Sequence, residues 1–284
     1  MWLSIMFQRG KVPLLASATV LMSIVASAPA RTQPKPTAPV LERVGAYVQR
    51  FVDDLTNVVA EERYVQEFRL ASDRRRLRSD FLLVKYPGTE NRYQTFRDVL
   101  EVDGRPVRDQ QARITQLFLE PFASAVTRAG EIEAASFRQS LRRGRLVDPL
   151  QAISHLQAFY QPQFEFSVAP ADRRAGADMI ELHFTQITPP GVSLIPLRGK
   201  ALVVEPTGRV IRTELTAGSR SNVSVTTTEF GFNAALRIDV PVSLRDVMPA
   251  SGTDEFIGRA EYTNFRRFQV RAEQEIDVPA KPEQ

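Results

Sequence analysis

Two histidines, His155 and His183, are the only side chains of the 284 residues that ordinarily titrate near neutral pH, and the chain contains no cysteine. Thiolate catalysis, disulfides, cysteine-held metal and a lipid carried on cysteine are therefore excluded. The histidines share neither H-x-x-x-H nor H-x-H spacing, so a two-histidine metal site has no local support. Asp98, Glu101, Asp103 and Asp109 form an acidic group of the kind that serves carboxylate catalysis or calcium. Its spacing lacks the regular oxygen repeat of a calcium loop, and it flanks a turn, where charge is ordinary. No G-x-S-x-G elbow, G-x-x-x-x-G-K-S/T loop or G-x-G-x-x-G loop occurs. Nothing in the sequence asks for a metal or a cofactor. Two arginine clusters remain, Arg74-Arg75-Arg76-Arg78 and Arg142-Arg143-Arg145. They have the chemistry to meet anionic lipid headgroups, and they also read as solvated turns.

The elements that must position these residues are mostly strands. An amphipathic helix is predicted over residues 40–60, where Leu41, Val44, Val48, Phe51, Leu55 and Val58 recur at three- and four-residue steps. Strands follow over 63–70, 78–86 and 92–102. In Phe81-Leu82-Leu83-Val84 both faces are apolar, which requires cover on both sides. Asp103-Gly104 is a two-residue hairpin turn. A second helix is expected over 110–126, interrupted at Pro121, and 127–147 is left open. Asp148-Pro149-Leu150-Gln151 has the grammar of a helix start, with Leu150, Ile153, Leu156 and Phe159 as its buried stripe. Period-2 strands then run over 164–168, 180–184, 200–205, 209–215, 223–227, 238–244 and 259–270. Pro206-Thr207-Gly208 forms another hairpin, and the phase shift between Tyr262 and Phe265 marks a bulge.

Strand after strand, joined by short turns, means antiparallel pairing rather than βαβ winding. The expected fold is α+β: a curved antiparallel sheet of about nine strands, a half-barrel, with two or three helices packed on its inner face. The first thirty residues read as a cleavable secretion signal. Arg9 and Lys11 precede an uncharged stretch over 12–30 that ends in Ala28 and Ala30, the A-x-A spacing of a signal peptidase site. Residues 31–39 read as a flexible leader, 40–277 as a single domain and 278–284 as a flexible tail. The formal charge of +4 falls to +2 once Arg9 and Lys11 leave with the signal. Such a near-neutral chain lacks the concentrated basic face of a nucleic-acid binder. No transmembrane span is expected after cleavage.

The order of elements, with the stretch VVEPTGRVIRTEL over 203–215, resembles the periplasmic lipoprotein-carrier (LolA-like) half-barrels. The stretches SDFLLVKYPG and FRDVLEVDGRPV within 79–107, and GRAEYTNFRRFQV over 258–270, resemble a group of uncharacterised exported bacterial proteins. The first resemblance implies a hydrophobic space between sheet and helices that takes an acyl chain or another apolar ligand. From the alternation, the inner face is drawn from Phe166, Leu182, Phe184, Val242 and Tyr262, which are the expected ligand-binding residues; the same pattern also suits a closed core. The leading expectation is an exported, non-enzymatic carrier of an apolar or lipid-like ligand, periplasmic or secreted. An envelope interaction or assembly module with a protein partner is the second reading. A hydrolase built on carboxylates and His155 or His183 is the third.

Overall fold

The computed structural model describes residues 38–85, 93–107, 122–141, 147–172, 176–187, 197–219, 222–249 and 255–267, all within one unit of the chain. The stretch read as a secretion signal, the expected tail, Asp109, the second arginine cluster and most of the helix expected over 110–126 lie outside these residues. Helix α1 (Ala38–Leu55) leads into β1 (Val58–Phe68), β2 (Arg74–Lys85), β3 (Tyr93–Val102) and the two-residue β4 (Arg105–Pro106). Helix α2 (Phe122–Gln139) and the single turn α3 (Gln151–Ser154) come next. Then follow β5 (Phe164–Pro170), β6 (Met179–Gln186), β7 (Arg198–Val204), β8 (Arg209–Ser219), β9 (Asn222–Asn233), β10 (Ile238–Pro249) and β11 (Glu255–Arg267).

The fold is α+β. All neighbouring strands pair antiparallel, in the order β4-β3-β2-β1-β11-β10-β9-β8-β7-β6-β5, and the sheet is open between its edges β4 and β5. The strands number eleven rather than about nine, partly because the Asp103-Gly104 turn returns β4 against the end of β3. Two meanders, β1–β4 and β5–β11, are stitched together by β1 and β11. The bulge expected in the last strand is present: Val59 pairs with Arg266 but Glu61 with Thr263, and Asn264 has φ 50°.

Helix α1 stops at Leu55, five residues short of the expected end. Asn57, at φ 62°, reverses the chain, so Val58 and Val59 start β1 instead. The helix lies across the strands. Near its start, Arg43 Nε donates to the Glu205 carbonyl at 3.0 Å; farther along, Phe51 meets Phe230 edge-on at 5.4 Å; near its end, Asp53 pairs with Lys85 of β2. The Pro206-Thr207-Gly208 hairpin docks on its backbone. A Cβ at Gly208 (φ 71°) would lie 2.5 Å from the Arg43 carbonyl, so glycine serves both the turn and the close approach.

Helix α2 follows the free edge of β3 rather than the inner face. Ser136 Oγ accepts from the Val99 N–H at 3.3 Å and donates to the Arg97 carbonyl at 2.7 Å. A helix laid along unpaired strand groups in this way blunts an edge. The helix expected after Asp148 is a single turn. Asp148 does accept the Leu150 N–H at 2.8 Å, but Gln161 Nε2 donates to the carbonyls of Leu41 and Leu156 and ties the segment to α1. Leu150, Ile153 and Leu156 are fully buried, whereas Phe159 is 60% exposed instead of completing the stripe. The two apolar faces of β2 are both covered: Phe81 and Leu83 join the main core, while Leu82, between Val59 and Phe96, is buried on the other side.

Candidate functional site

At the β5 end of the sheet the inner face is aromatic. Strand pairing sets Phe166 opposite Phe184 and Val168 opposite Leu182, and alternation turns these side chains to the same face. Phe164 meets Phe184 edge-on at 5.6 Å and Phe166 at 6.3 Å. Gly199, paired with Phe184, leaves room for the ring, because a Cβ there would lie 2.0 Å from it. Phe184 and Leu182 are buried, and Phe166 is half-buried against them.

The cluster reaches solvent at one end. The Ile187 N–H donates to the Gln163 carbonyl, next to Phe164, and Ile187 is 51% exposed. Phe159, 60% exposed, meets Tyr160 edge-on, and Tyr160 packs on the core.

Polar atoms interrupt this apolar wall from beneath. His155 lies 5.0 Å from Phe164 and 6.3 Å from Phe184, ring to ring. Burial among them lowers its pKa to about 4, so at neutral pH it is an uncharged imidazole. Its Nε2, both ends of the Gln157 amide and the Thr213 hydroxyl find no hydrogen-bond partner among the described residues. Gln157 is 1% exposed and Thr213 is fully buried. Buried polar groups are nearly always satisfied; the hydroxyls of Tyr64, Ser79 and Tyr93, on β1, β2 and β3, are likewise without a hydrogen-bond partner among the described residues.

The other expected site residues stand elsewhere. Tyr262, on β11, is five strand steps from β6, about 24 Å along the sheet. Its hydroxyl donates to Glu62 at 2.8 Å, and Glu62 accepts from Arg97 Nε at 2.6 Å. Arg97 lies 5.4 Å over the Phe81 ring and also donates to the Val147 carbonyl. Burial opposes the Arg97 charge, but the Glu62 carboxylate and the Tyr262 phenol outweigh it and hold the guanidinium above its ordinary pKa. Val242 must be corrected as an inner-face residue. Pro241 pairs with Phe230 and Ser243 with Glu229, so Val242 is the unpaired residue of a bulge and turns outward, 44% exposed.

The sheet separates the two histidines, since His183 alternates with the inward Leu182 and Phe184 and pairs with Glu181 at 3.0 Å. The acidic group does not converge on a site either. Glu101 pairs with Arg78, and Asp103 accepts the Arg76 N–H within its turn. Among the described residues no three histidine or carboxylate side chains cluster as metal ligands, and no helix is long and apolar enough to cross a membrane. The buried polar groups of β1 escaped the sequence reading because Glu62 and Gln66 share their strand with Glu61, Arg63 and Glu67. A strand polar on both phases was the available signal.

The fold is similar to solved structures only at a distance. A LolA superfamily protein from Nitrosomonas europaea aligns over 81% of this chain and 94% of its own, at 11% identity and a TM-score of 0.36. A DUF1329 family protein from Desulfovibrio piger aligns over 82% and 93%, at 11% identity and a TM-score of 0.37. No family model and no curated protein matches the chain.

Proposed function

We propose that the chain is an exported, non-catalytic carrier that holds an amphiphile at the β5–β6 end of its sheet. The single observation behind this reading is the Phe164–Phe166–Phe184 cluster on the inner face, with the half-buried Phe166 at its margin and the unpartnered His155 Nε2 beside Phe164. Phe166, Leu182 and Phe184 supply the wall. Tyr262 is committed to Glu62, and Val242 faces away. The unpartnered Gln157 amide and His155 Nε2 favour a ligand that carries one polar group over a pure hydrocarbon. The reading of residues 1–30 as a secretion signal supports a carrier that works in the cell envelope or outside it.

The test is titration with a dansylated fatty acid. Residue 2 is the only tryptophan, so the secreted form gives no indole background. Saturable, one-to-one enhancement of dansyl emission, lost in Phe166→Ser, is the expected result. A protein that leaves the probe in water, and from which organic extraction releases no lipid, contradicts the proposal.

A further inference from the structure

The surface of the sheet opposite the aromatic wall carries a second site. A groove of about 680 Å³ crosses β11, β1 and β2, and five arginines line it: Arg63, Arg74, Arg76, Arg78 and Arg259. Strand register accounts for the gathering. Arg74, Arg76 and Arg78 alternate along β2 and share one face, while Arg75 turns to the other and donates to the Gln139 carbonyl at 2.8 Å. Arg63 stands directly opposite Arg78, and on the neighbouring strand pair Arg259 stands directly opposite Arg245. Like charges placed opposite one another destabilise a sheet. The Arg63–Arg78 pair, inside the groove, is a liability that a bound anion would relieve.

Three carboxylates also line the groove, Glu101, Asp103 and Glu261, and Glu261 stands opposite Arg63 on β11. Glu101 pairs with Arg78, and Asp103 serves its turn. Arg63 and Arg259 are met by Glu61 and Glu67 at exposed positions, where ion pairs contribute little and re-aim readily. Arg74 and Arg76 are exposed, and neither guanidinium has an ion-pair partner among the described residues. Val65, between Arg76 and Arg259, gives the groove an apolar floor against which arginine stems pack.

We infer that this groove is a phosphate-binding site for a ligand with two or more phosphate oxygens in reach of Arg74, Arg76 and the Arg63–Arg78 pair. Guanidinium forks match phosphate geometry in bidentate fashion, and five of them from three adjacent strands present a fixed donor array. The phosphate comes either from a soluble polyphosphate or from the headgroup of an anionic lipid.

Two probes separate these sources: inorganic pyrophosphate followed by calorimetry, and co-sedimentation with phosphatidylcholine vesicles that contain or lack phosphatidylglycerol. Each is run on the full secreted protein, on Arg74→Ala/Arg76→Ala, and on Arg50→Ala/Arg237→Ala as an equal charge change outside the groove. The expected result is binding that weakens at least tenfold in the groove variant, stays unchanged in the control and falls with added salt. Pyrophosphate binding with this pattern identifies a soluble source; vesicle binding alone with the same pattern identifies a lipid source. Binding of neither probe, or equal weakening by both variants, overturns the inference. Because all four residues are exposed, unchanged thermal melts separate lost binding from lost fold.

Discussion

Along the inner face of one sheet, β5 to β8 present phenylalanine, leucine and valine, while β1, β3 and β11 present Glu62, Gln66, Arg97 and Tyr262. Both regions are buried, but they are held by different physics. The aromatic region is stabilised by area removed from water, roughly 25 cal/mol per Å², with little directional demand. The polar region depends on satisfaction: the Arg97–Glu62–Tyr262 chain, and Gln66, which donates to Ser140 Oγ at 3.0 Å and accepts the Leu141 N–H at 2.8 Å. Such a network fixes one arrangement, because each missing partner strands a buried polar group. The Arg97–Glu62–Tyr262 chain is internally paired, although the hydroxyls of Tyr64, Ser79 and Tyr93 on β1, β2 and β3 have no hydrogen-bond partner among the described residues. The aromatic region sets an apolar wall of Phe164 and Phe184 against the unpartnered His155 Nε2, and the ligand is assigned to that wall.

Removing one partner in the polar region breaks this comparison most forcefully. Arg97→Met leaves the buried Glu62 carboxylate without its counter-charge, held only by the Tyr262 hydroxyl, and a loss of about 3–5 kcal/mol is expected. Glu62→Leu/Arg97→Met, which removes both charges, is expected to recover most of that loss, read from urea midpoints at constant slope. In the aromatic region, Phe184→Ala is expected to cost about 3 kcal/mol through the cavity over Gly199, and no second substitution of opposite charge rescues it.

The pH response separates the regions next. His155 has its pKa depressed to about 4 from the ordinary 6.5 by burial. Its unfolded form therefore binds a proton first as pH falls. The stability tied to neutral His155 is complete above pH 6.5, declines between 6.5 and 4, and is gone below 4. About 1–2 kcal/mol should disappear over that window, after allowing for partial exposure of the ring. His155→Phe should flatten the curve there.

A smaller effect carries more information. Gln157→Leu removes an unpartnered amide, so stability should rise by about 1 kcal/mol while dansyl fatty acid affinity falls. A purely structural glutamine would show no loss of affinity. Phe159→Ser, at an exposed position, should leave stability within about 0.5 kcal/mol and still weaken the ligand.

Elements whose signals are local were legible in the sequence. The period of α1, the Asp103-Gly104 and Pro206-Thr207-Gly208 turns, and the phase break before Phe265 all read correctly, because each depends on neighbours along the chain. The short α3 did not, since what closes it is Gln161 bonding back to Leu41, about 120 residues away. Val242 was misplaced because a bulge is invisible where apolar residues continue through it. Of the site, Leu182, Phe184 and Phe166 were legible from alternation. His155 was recognised as a histidine without its aromatic surroundings, and Gln157 was passed over, since nothing in its neighbours marks an amide that folding leaves unpaired.

The central claim is that an amphiphile sits at the β5–β6 end of the inner face. Amide NMR spectra of residues 31–284 with a spin-labelled fatty acid test it directly. The account predicts line broadening confined to Phe159, Phe164 to Val168 and Ile180 to Ile187, with β1, β3 and β11 unaffected. Broadening centred on Glu62, Arg97 and Tyr262, or none at saturating probe, would contradict it.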